Sequence, residues 1–326
     1  MAEITLVEAV NQAMAYELEH DPDVIALGED IGLNGGVFRA TIGLQQRFGP
    51  ERVIDTPLAE SMIAGLAIGM ATQGLKPIAE FQFMGFIFPA CNQIFAHAAR
   101  MRNRTRGRLH CPIVFRAPFG GGIHAPEHHS ESTEALFAHI PGLRVVIPSS
   151  PKRAYGLLLA AIRDPDPVMF FEPKRIYRIV KQEVPDDGQA LPLDTCFILR
   201  EGDDVTLVSW GAAMHETQLA AQQLATQGVE CDVIDVATLK PLDMNTILQS
   251  VEKTGRCVII HEAARSGGVG AEIAAQLAEK ALLSLTAPVQ RVTGYDTTMP
   301  YFKMENYYLP SVKKIMKAVQ QTLEFT

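Results

Sequence analysis

Short runs of β-branched and aromatic residues alternate with longer stretches of helical period through most of the chain. The runs predict strands at residues 24–27, 52–55, 77–81, 113–116, 144–147 and 168–171, with helices near 5–19, 58–72, 88–104 and 152–163 between them. Runs with no polar position, such as Val145-Val146-Ile147 and Val168-Met169-Phe170-Phe171, read as central strands buried on both faces. Around Glu183 to Pro192 the pattern dissolves into turn residues. A second alternating series follows, with strands at 205–209, 231–235, 257–261 and 289–292 and helices at 215–227, 243–254, 270–284 and 309–322. The reading is an α/β chain of two domains, 1–185 and 195–326, joined by a linker at 186–194, each built on a mostly parallel sheet with helices packed on it.

Composition narrows the function classes. Hydrophobic residues make up 47% of the 326 and charged residues 20%, so the chain packs a core and is not disordered. Twenty-nine Lys and Arg against 37 Asp and Glu give a formal charge of −8, which argues against nucleic acid as a partner. The basic stretch from Arg100 to Arg108 has no interleaved aromatics and reads as a solvated helix end or a protein-facing patch. No run reaches the roughly 18–20 apolar residues that cross a bilayer, so no membrane is expected. The first residues lack the basic start and apolar core of a signal peptide and the arginine-rich character of a transit peptide, so the expected location is the cytoplasm. Cys91, Cys111, Cys196, Cys231 and Cys257 contain no CxxC pair, which fits buried thiols in a reducing compartment.

Ligands of open α/β sheets sit beyond the carboxyl ends of the strands. Here those ends carry Gly28-Glu29-Asp30, the segment DTPLAE at 55–60, the stretch 80–86 and the loop 117–130. With Thr56 as cap and Pro57 at the first helical position, Glu60 falls one position past the capping-box slot. Its carboxyl then faces the uncharged run after it and should hold its proton more tightly than in water; the plainer role is a first-turn glutamate favoured by the helix dipole. The run FQFMGFIF at 81–88 reads as strand faces, serving either core packing or a platform for a flat ring. The loop PFGGGIHAPEHHS at 118–130 brings His124, His128 and His129 together. Pro126 breaks the helix that a zinc pair at His124 and His128 would need, so a histidine here is read as an acid/base or an anion anchor. RSGGVGAE at 265–272 reads as a tight strand-to-helix turn or a phosphate cradle, and the turn at 161–167 offers carbonyls and carboxylates to a hard cation.

In order and spacing, LGED at 27–30, GGVFR at 35–39, DTPLAE at 55–60, PFGGG at 118–122, His129-Ser130, PGL at 141–143, AIRD at 161–164 and GYDT at 294–297 resemble the β subunits of thiamine-diphosphate-dependent 2-oxo acid dehydrogenases, nearly end to end. The resemblance implies a pyrimidine-binding-type parallel sheet followed by a transketolase C-terminal-like α/β domain. It implies that Glu60 hydrogen-bonds a pyrimidine nitrogen of the cofactor and so lets the imino nitrogen take the thiazolium proton. It implies that Glu29 lies in a tunnel passing protons between two sites, that Phe86 packs on the aminopyrimidine, and that His129 orients substrate or lipoyl group. Ile113, Ala161, Asp164 and Asp166 match potassium-binding positions of some relatives.

The chain has no Gly-Asp-Gly segment, which in thiamine enzymes helps hold diphosphate and Mg²⁺. The resemblance therefore implies that an α subunit holds the Mg²⁺ and shares the thiamine diphosphate in an α2β2 heterotetramer, and that the C-terminal domain docks a dihydrolipoyl acyltransferase core. Segments 38–41, 55–61 and 118–127 look like pyruvate-type chains, whereas 171–178 looks more like branched-chain ones. Pyruvate is the first reading of the substrate and a branched-chain 2-oxo acid the second. Glu131 stands where many relatives carry Gln, and the adjacent His128 competes for the role of His129. A stand-alone thiamine enzyme and a non-catalytic scaffold subunit are the remaining rivals.

Overall fold

A computed structural model describes residues 3–325 as two compact units. The first holds the chain up to Phe119 together with Leu136–Leu193; the second holds Gly120–Ala135 together with the chain from Asp194 onward.

The first unit opens with strand β1 (Glu3–Thr5) and helix α1 (Leu6–His20), whose start is set by a capping box between Thr5 and Glu8. Then come β2 (Val24–Gly28), α2 (Leu44–Phe48), β3 (Val53–Asp55), α3 (Glu60–Thr72), β4 (Lys76–Glu80), the short α4 (Met101–Arg104) and β5 (Val114–Phe119). After α5 (Glu134–Ala138), which straddles the division, follow β6 (Arg144–Val146), α6 (Pro151–Arg163), β7 (Val168–Pro173) and β8 (Lys181–Glu183). The main sheet runs β6-β7-β5-β4-β2-β3, parallel throughout, and β1 pairs with β8 in a separate antiparallel ribbon. β5 and β7 are buried at every position, as strands covered on both faces must be.

The helix expected over 88–104 is instead a chain of irregular turns: a 3-10 helix at Met84–Ala90, a π turn at Gln93–His97, a 3-10 turn at Ala98–Arg100, then α4. Pro89 would stand in the first turn of that helix, where a missing N–H costs nothing, so it alone does not break the run. Gly142 comes so close that a Cβ there would lie 2.0 Å from the Ala99 carbonyl oxygen. The residues read as a linker are anchored to this unit. Tyr155 Oη donates to Asp186 and accepts from the Gly188 N–H, and Leu191 N–H donates to the Gly156 carbonyl.

In the second unit, β9 (Phe197–Arg200), β10 (Val205–Ser209), α7 (Ala213–Ala225), β11 (Cys231–Asp235), the short β12 (Thr238–Lys240), α8 (Met244–Thr254), β13 (Cys257–Ile260), α9 (Val269–Lys280), β14 (Gln290–Val292), α10 (Phe302–Tyr308) and α11 (Val312–Leu323) follow in order. The sheet runs β14-β13-β10-β11-β9, parallel except for β9, an antiparallel edge strand absent from the sequence reading. The predicted helix 309–322 begins only at Val312, because Pro310 interrupts it and Ser311 caps the new start by accepting the Lys314 N–H.

Residues 120–135, placed by sequence in the first domain, cluster with the second. The reason is polar and lies within that unit: Glu262 and Glu305 accept hydrogen bonds from this loop.

Candidate active site

In the first unit the parallel sheet brings three strand ends side by side. Gly28 pairs with Asp55 on one flank and Glu80 on the other. Only glycine fits at 28, since a Cβ would lie 2.8 Å from the Glu80 carbonyl oxygen. The Gly28 carbonyl accepts the Thr56 N–H at 2.9 Å, tying the segment that bears Glu29 to the one that leads into Glu60. The Asp55 carboxylate accepts the N–H groups of Gly32 and Leu33 and so folds the loop after Glu29 over the strand end.

Glu60 is the first residue of α3 itself, not the fourth. Ala59 occupies the cap position without a side-chain bond, and Thr56 lies outside the helix. The carboxyl is half-buried at the helix N-terminus, where the dipole favours negative charge. One turn into the helix the surface is apolar and open: Met62 and Leu66 are each 40% exposed, beside an exposed Gly69. Glu29 holds its proton more tightly than a free glutamate, first through burial, then through the negative charges of Asp30 and Glu60.

The aromatic run is not a strand beyond Glu80. Phe86 lies on the 3-10 helix Met84–Ala90, half-buried, with Phe83 edge-on at 5.3 Å between ring centroids. Ser61 Oγ donates to the Pro89 carbonyl at 2.6 Å, which fastens this 3-10 helix to the start of α3. The structure thus gathers Glu29, Glu60 and Phe86 at one edge of one sheet. Behind them Arg116 donates Nε and Nη2 to the two carboxylate oxygens of Glu172 and Nη1 to Glu80, while Tyr177 Oη donates to Glu172. All four side chains are buried, and burial raises the Glu80 carboxyl against the opposing pull of Arg116.

The four positions matched to potassium lie together around the turn after α6. Asp164 Oδ1 accepts the Asp166 N–H at 2.8 Å and pairs with Arg144 at 3.0 Å; Asp166 pairs with Arg102 at 2.6 Å. The Ile113 and Ala161 carbonyls each already accept one N–H, from Val168 and Asp164, which leaves each a second lone pair. Among the described residues, no three His, Cys, Asp or Glu side chains gather as a metal site. Arg102 is the one member of the basic stretch drawn into this pairing, and Arg106 and Gly107 end α4 in left-handed conformation.

The histidine loop belongs to the second unit. His128 is exposed and His129 half-buried on the 3-10 turn Glu127–His129, whose ends close by His129 N–H to Pro126 and Ser130 N–H to Glu127. His124 sits apart from them, its Nδ1 2.7 Å from Glu305 Oε2. The RSGGVGAE segment is a strand-to-helix turn: Gly268 starts α9, and a Cβ on Gly270 would lie 2.6 Å from Nε2 of His261. His261 stacks on Trp210 at 5.0 Å, and burial pushes its ring down to about 3, so it is neutral. All five cysteines are free; burial pushes Cys91 up to about 11 and Cys111 up to about 12.

Residues 2–180 match the transketolase pyrimidine-binding domain, and residues 194–315 match the transketolase C-terminal domain. Similarity to named proteins extends over the full length. The Acholeplasma laidlawii protein named pyruvate dehydrogenase E1 component subunit beta is 50% identical over 321 residues, covering 98% of both chains. Its namesakes from Staphylococcus epidermidis and Bacillus subtilis are 47% and 46% identical over 325 residues, covering 100% of both. The chain belongs to the pyruvate dehydrogenase E1 β-subunit family. Among solved structures, a split-gene transketolase described as an inactive β4 tetramer overlays 99% of each chain with a TM-score of 0.82 at 24% identity, and so shares the fold. No described helix is long and apolar enough to cross a membrane.

Within this E1 β-type chain, several residues were not visible from sequence as parts of a site. Glu134 accepts from Trp210 Nε1 at 3.2 Å, and Glu262 and Glu305 hold the histidine loop. A signal was present for two of them: Trp210, the only tryptophan, and His261-Glu262 each stand at the end of a run that predicts a strand.

Proposed function

We propose that the chain is the β subunit of a cytoplasmic pyruvate dehydrogenase E1 component and carries the pyrimidine half of a thiamine diphosphate site completed by an α subunit. The observation that carries this reading is the convergence of Glu60, Glu29 and Phe86 at one sheet edge, in a chain 46–50% identical over its length to E1 β subunits. The half-buried Phe86 ring offers a flat apolar face, and the carboxyl of Glu60 stands at a helix start fastened to the same 3-10 segment, a donor set that fits an aminopyrimidine.

When bound, thiamine diphosphate supplies the electron sink that a 2-oxo acid needs to lose CO₂. Glu60 would hydrogen-bond a ring nitrogen of the pyrimidine, and Phe86 would pack on the ring and exclude water from one face. Glu29, which keeps its proton readily, supplies a proton relay beside it. His129, half-buried where His128 is exposed, is the loop histidine for orienting substrate or lipoyl group. The uncovered apolar strip of α3 at Met62, Leu66 and Gly69 suits the α subunit, which would also hold Mg²⁺. Potassium, if taken up, would use the main-chain oxygens of Ile113 and Ala161 with the Asp164 and Asp166 turn. Docking of an acyltransferase core falls to the C-terminal unit.

The test is 2-oxo acid-dependent reduction of an artificial electron acceptor, with thiamine diphosphate and Mg²⁺, for this chain alone and for the chain purified with its α subunit. The expected result is activity in the pair only, highest with pyruvate. Activity of the isolated chain overturns the shared site, and preference for branched-chain acids overturns the substrate.

A further inference from the structure

The loop between Gly120 and Ser132 departs from regular structure in ways its own sequence does not stabilise. Gly120 and Gly122 adopt φ of +82° and +87°, and His124 adopts +58°, a left-handed conformation that a non-glycine residue keeps only where its surroundings enforce it. What enforces it lies far along the chain. Glu262, two residues beyond the end of β13, accepts the Gly121 N–H and the Ser132 hydroxyl on one carboxylate oxygen. Glu305, in the middle of the seven-residue α10, accepts the Gly122 N–H on Oε1 at 2.6 Å and the His124 N–H on Oε2 at 3.1 Å, with the His124 ring against the same oxygen.

Both acids are almost fully buried, at 5% and 1% exposure, so these donors replace the water the carboxylates gave up. The glycines make the approach possible. A Cβ on Gly120 would lie 2.8 Å from a Glu262 oxygen, and one on Gly121 would lie 2.5 Å from the Met299 methyl. The loop closes on itself through Gly120 N–H to the Glu131 carbonyl, and His128 and His129 ride on that closed span.

We propose that Glu262 and Glu305 are positioning residues: they clamp the backbone at the start of the histidine loop and so fix where His128 and His129 stand for the lipoyl-dependent half of the reaction. The functional clause rests on the E1 β reading above; the clamp itself does not. Removing one acid frees two or three loop donors at once; glutamine keeps one carbonyl oxygen, which serves both donors that share a Glu262 oxygen but only some of the donors divided between the two oxygens of Glu305.

The experiment compares Glu262→Ala, Glu305→Ala and the matching Gln variants in the chain assembled with its α subunit. Amide hydrogen exchange of residues 120–132 is read beside reductive acylation of a lipoyl domain and reduction of an artificial acceptor. In the Ala variants loop exchange is expected to rise at least tenfold with the rest of the second unit unchanged. Lipoyl acylation is expected to fall at least tenfold more than acceptor reduction, with Glu262→Gln recovering most of both and Glu305→Gln only part.

Should an Ala variant fail to assemble, His124→Asn tests the same clamp at an exposed position. It drops the ring contact to Glu305 but tolerates the left-handed backbone, and exchange at Gly122 and position 124 is expected to rise several-fold. Unchanged loop exchange in every assembled variant overturns the clamp. Faster exchange spread over the whole unit, or a loosened loop with both half-reactions intact, overturns the positioning role. If the wild-type assembly oxidises no 2-oxo acid while the loop still loosens on cue, the clamp stands and the E1 reading falls.

Discussion

The charge of Glu60 reaches Glu29 across the carboxyl edge of the first sheet: after burial and the charge of Asp30, it helps raise the pKa of Glu29. The parallel pairing of β2 with β3, continued by the bond from Thr56 to Gly28, sets their proximity. Neighbouring carboxyls whose environments differ are how protein sites divide acid and base roles.

The first prediction concerns Glu60. Glu60→Gln keeps the size and the start of α3, which has no side-chain cap to lose. The variant is expected to assemble normally and to lose about 10²–10⁴-fold in the rate of hydrogen–deuterium exchange at the thiazolium carbon of added cofactor, the scale of one general acid–base group. Near-normal exchange would remove Glu60 from that role.

The loop histidines separate by burial. His129→Ala is expected to slow reductive acylation of a lipoyl domain by at least tenfold more than His128→Ala, because only His129 is half-buried in the 3-10 turn. Single-turnover acylation rates decide it, and the opposite order transfers the role to His128.

Glu134 gives a pH signature. Burial is the main cause that lifts its carboxyl from 4.5 to about 8; hydrogen bonds from its own backbone and from Trp210 oppose this, and the Glu262 charge adds to it. The folded chain therefore keeps a proton that the unfolded chain has released, and stability falls as pH rises from about 4.5 to about 8. Glu134→Gln keeps an acceptor for Trp210 and carries no charge. Its unfolding midpoint is expected to drop less than that of the wild type between pH 5 and 8 in parallel thermal melts. Parallel curves would show that Glu134 is ionised when folded.

Arg116 tests the buried ion network. Arg116→Met strands Glu80 and Glu172 without their shared cation, a loss of about 3–5 kcal/mol, seen as a lower urea midpoint. Adding Glu80→Gln and Glu172→Gln to that variant is expected to restore most of the loss. Arg116→Lys is expected to rescue little, since a single ammonium does not reproduce the two-pronged bond to Glu172 together with the bond to Glu80. No recovery in the triple variant would locate the cost in packing instead.

The alternation of strand-like runs and helical stretches specified two α/β units by sequence alone, because short β-branched runs bounded by turn residues suit a buried sheet and the longer 3.6-period stretches between them suit helices that cover it. Strands Val205–Ser209 and Cys231–Asp235 begin and end where the pattern places them. Strong local rules had the same force: the Thr5 capping box, the Asp243 cap and the Gly255 terminus of α8 each act within four residues. Glu29, Glu60 and Phe86 were legible as candidates because glycine, proline and acid residues gather at predicted strand ends.

Tertiary structure alone decided what required two distant segments at once. The start of α3 moved to Glu60 because the segment before it is tied to Gly28. The helix expected over 88–104 gave way to irregular turns in the segment where the Gly142 backbone packs against Ala99. The histidine loop joined the second unit because Glu262 and Glu305, 141 and 183 residues from their glycine donors, can satisfy its backbone only once the chain has folded. Buried carboxylates need hydrogen-bond donors, and nothing in a linear pattern says which distant N–H groups will answer them.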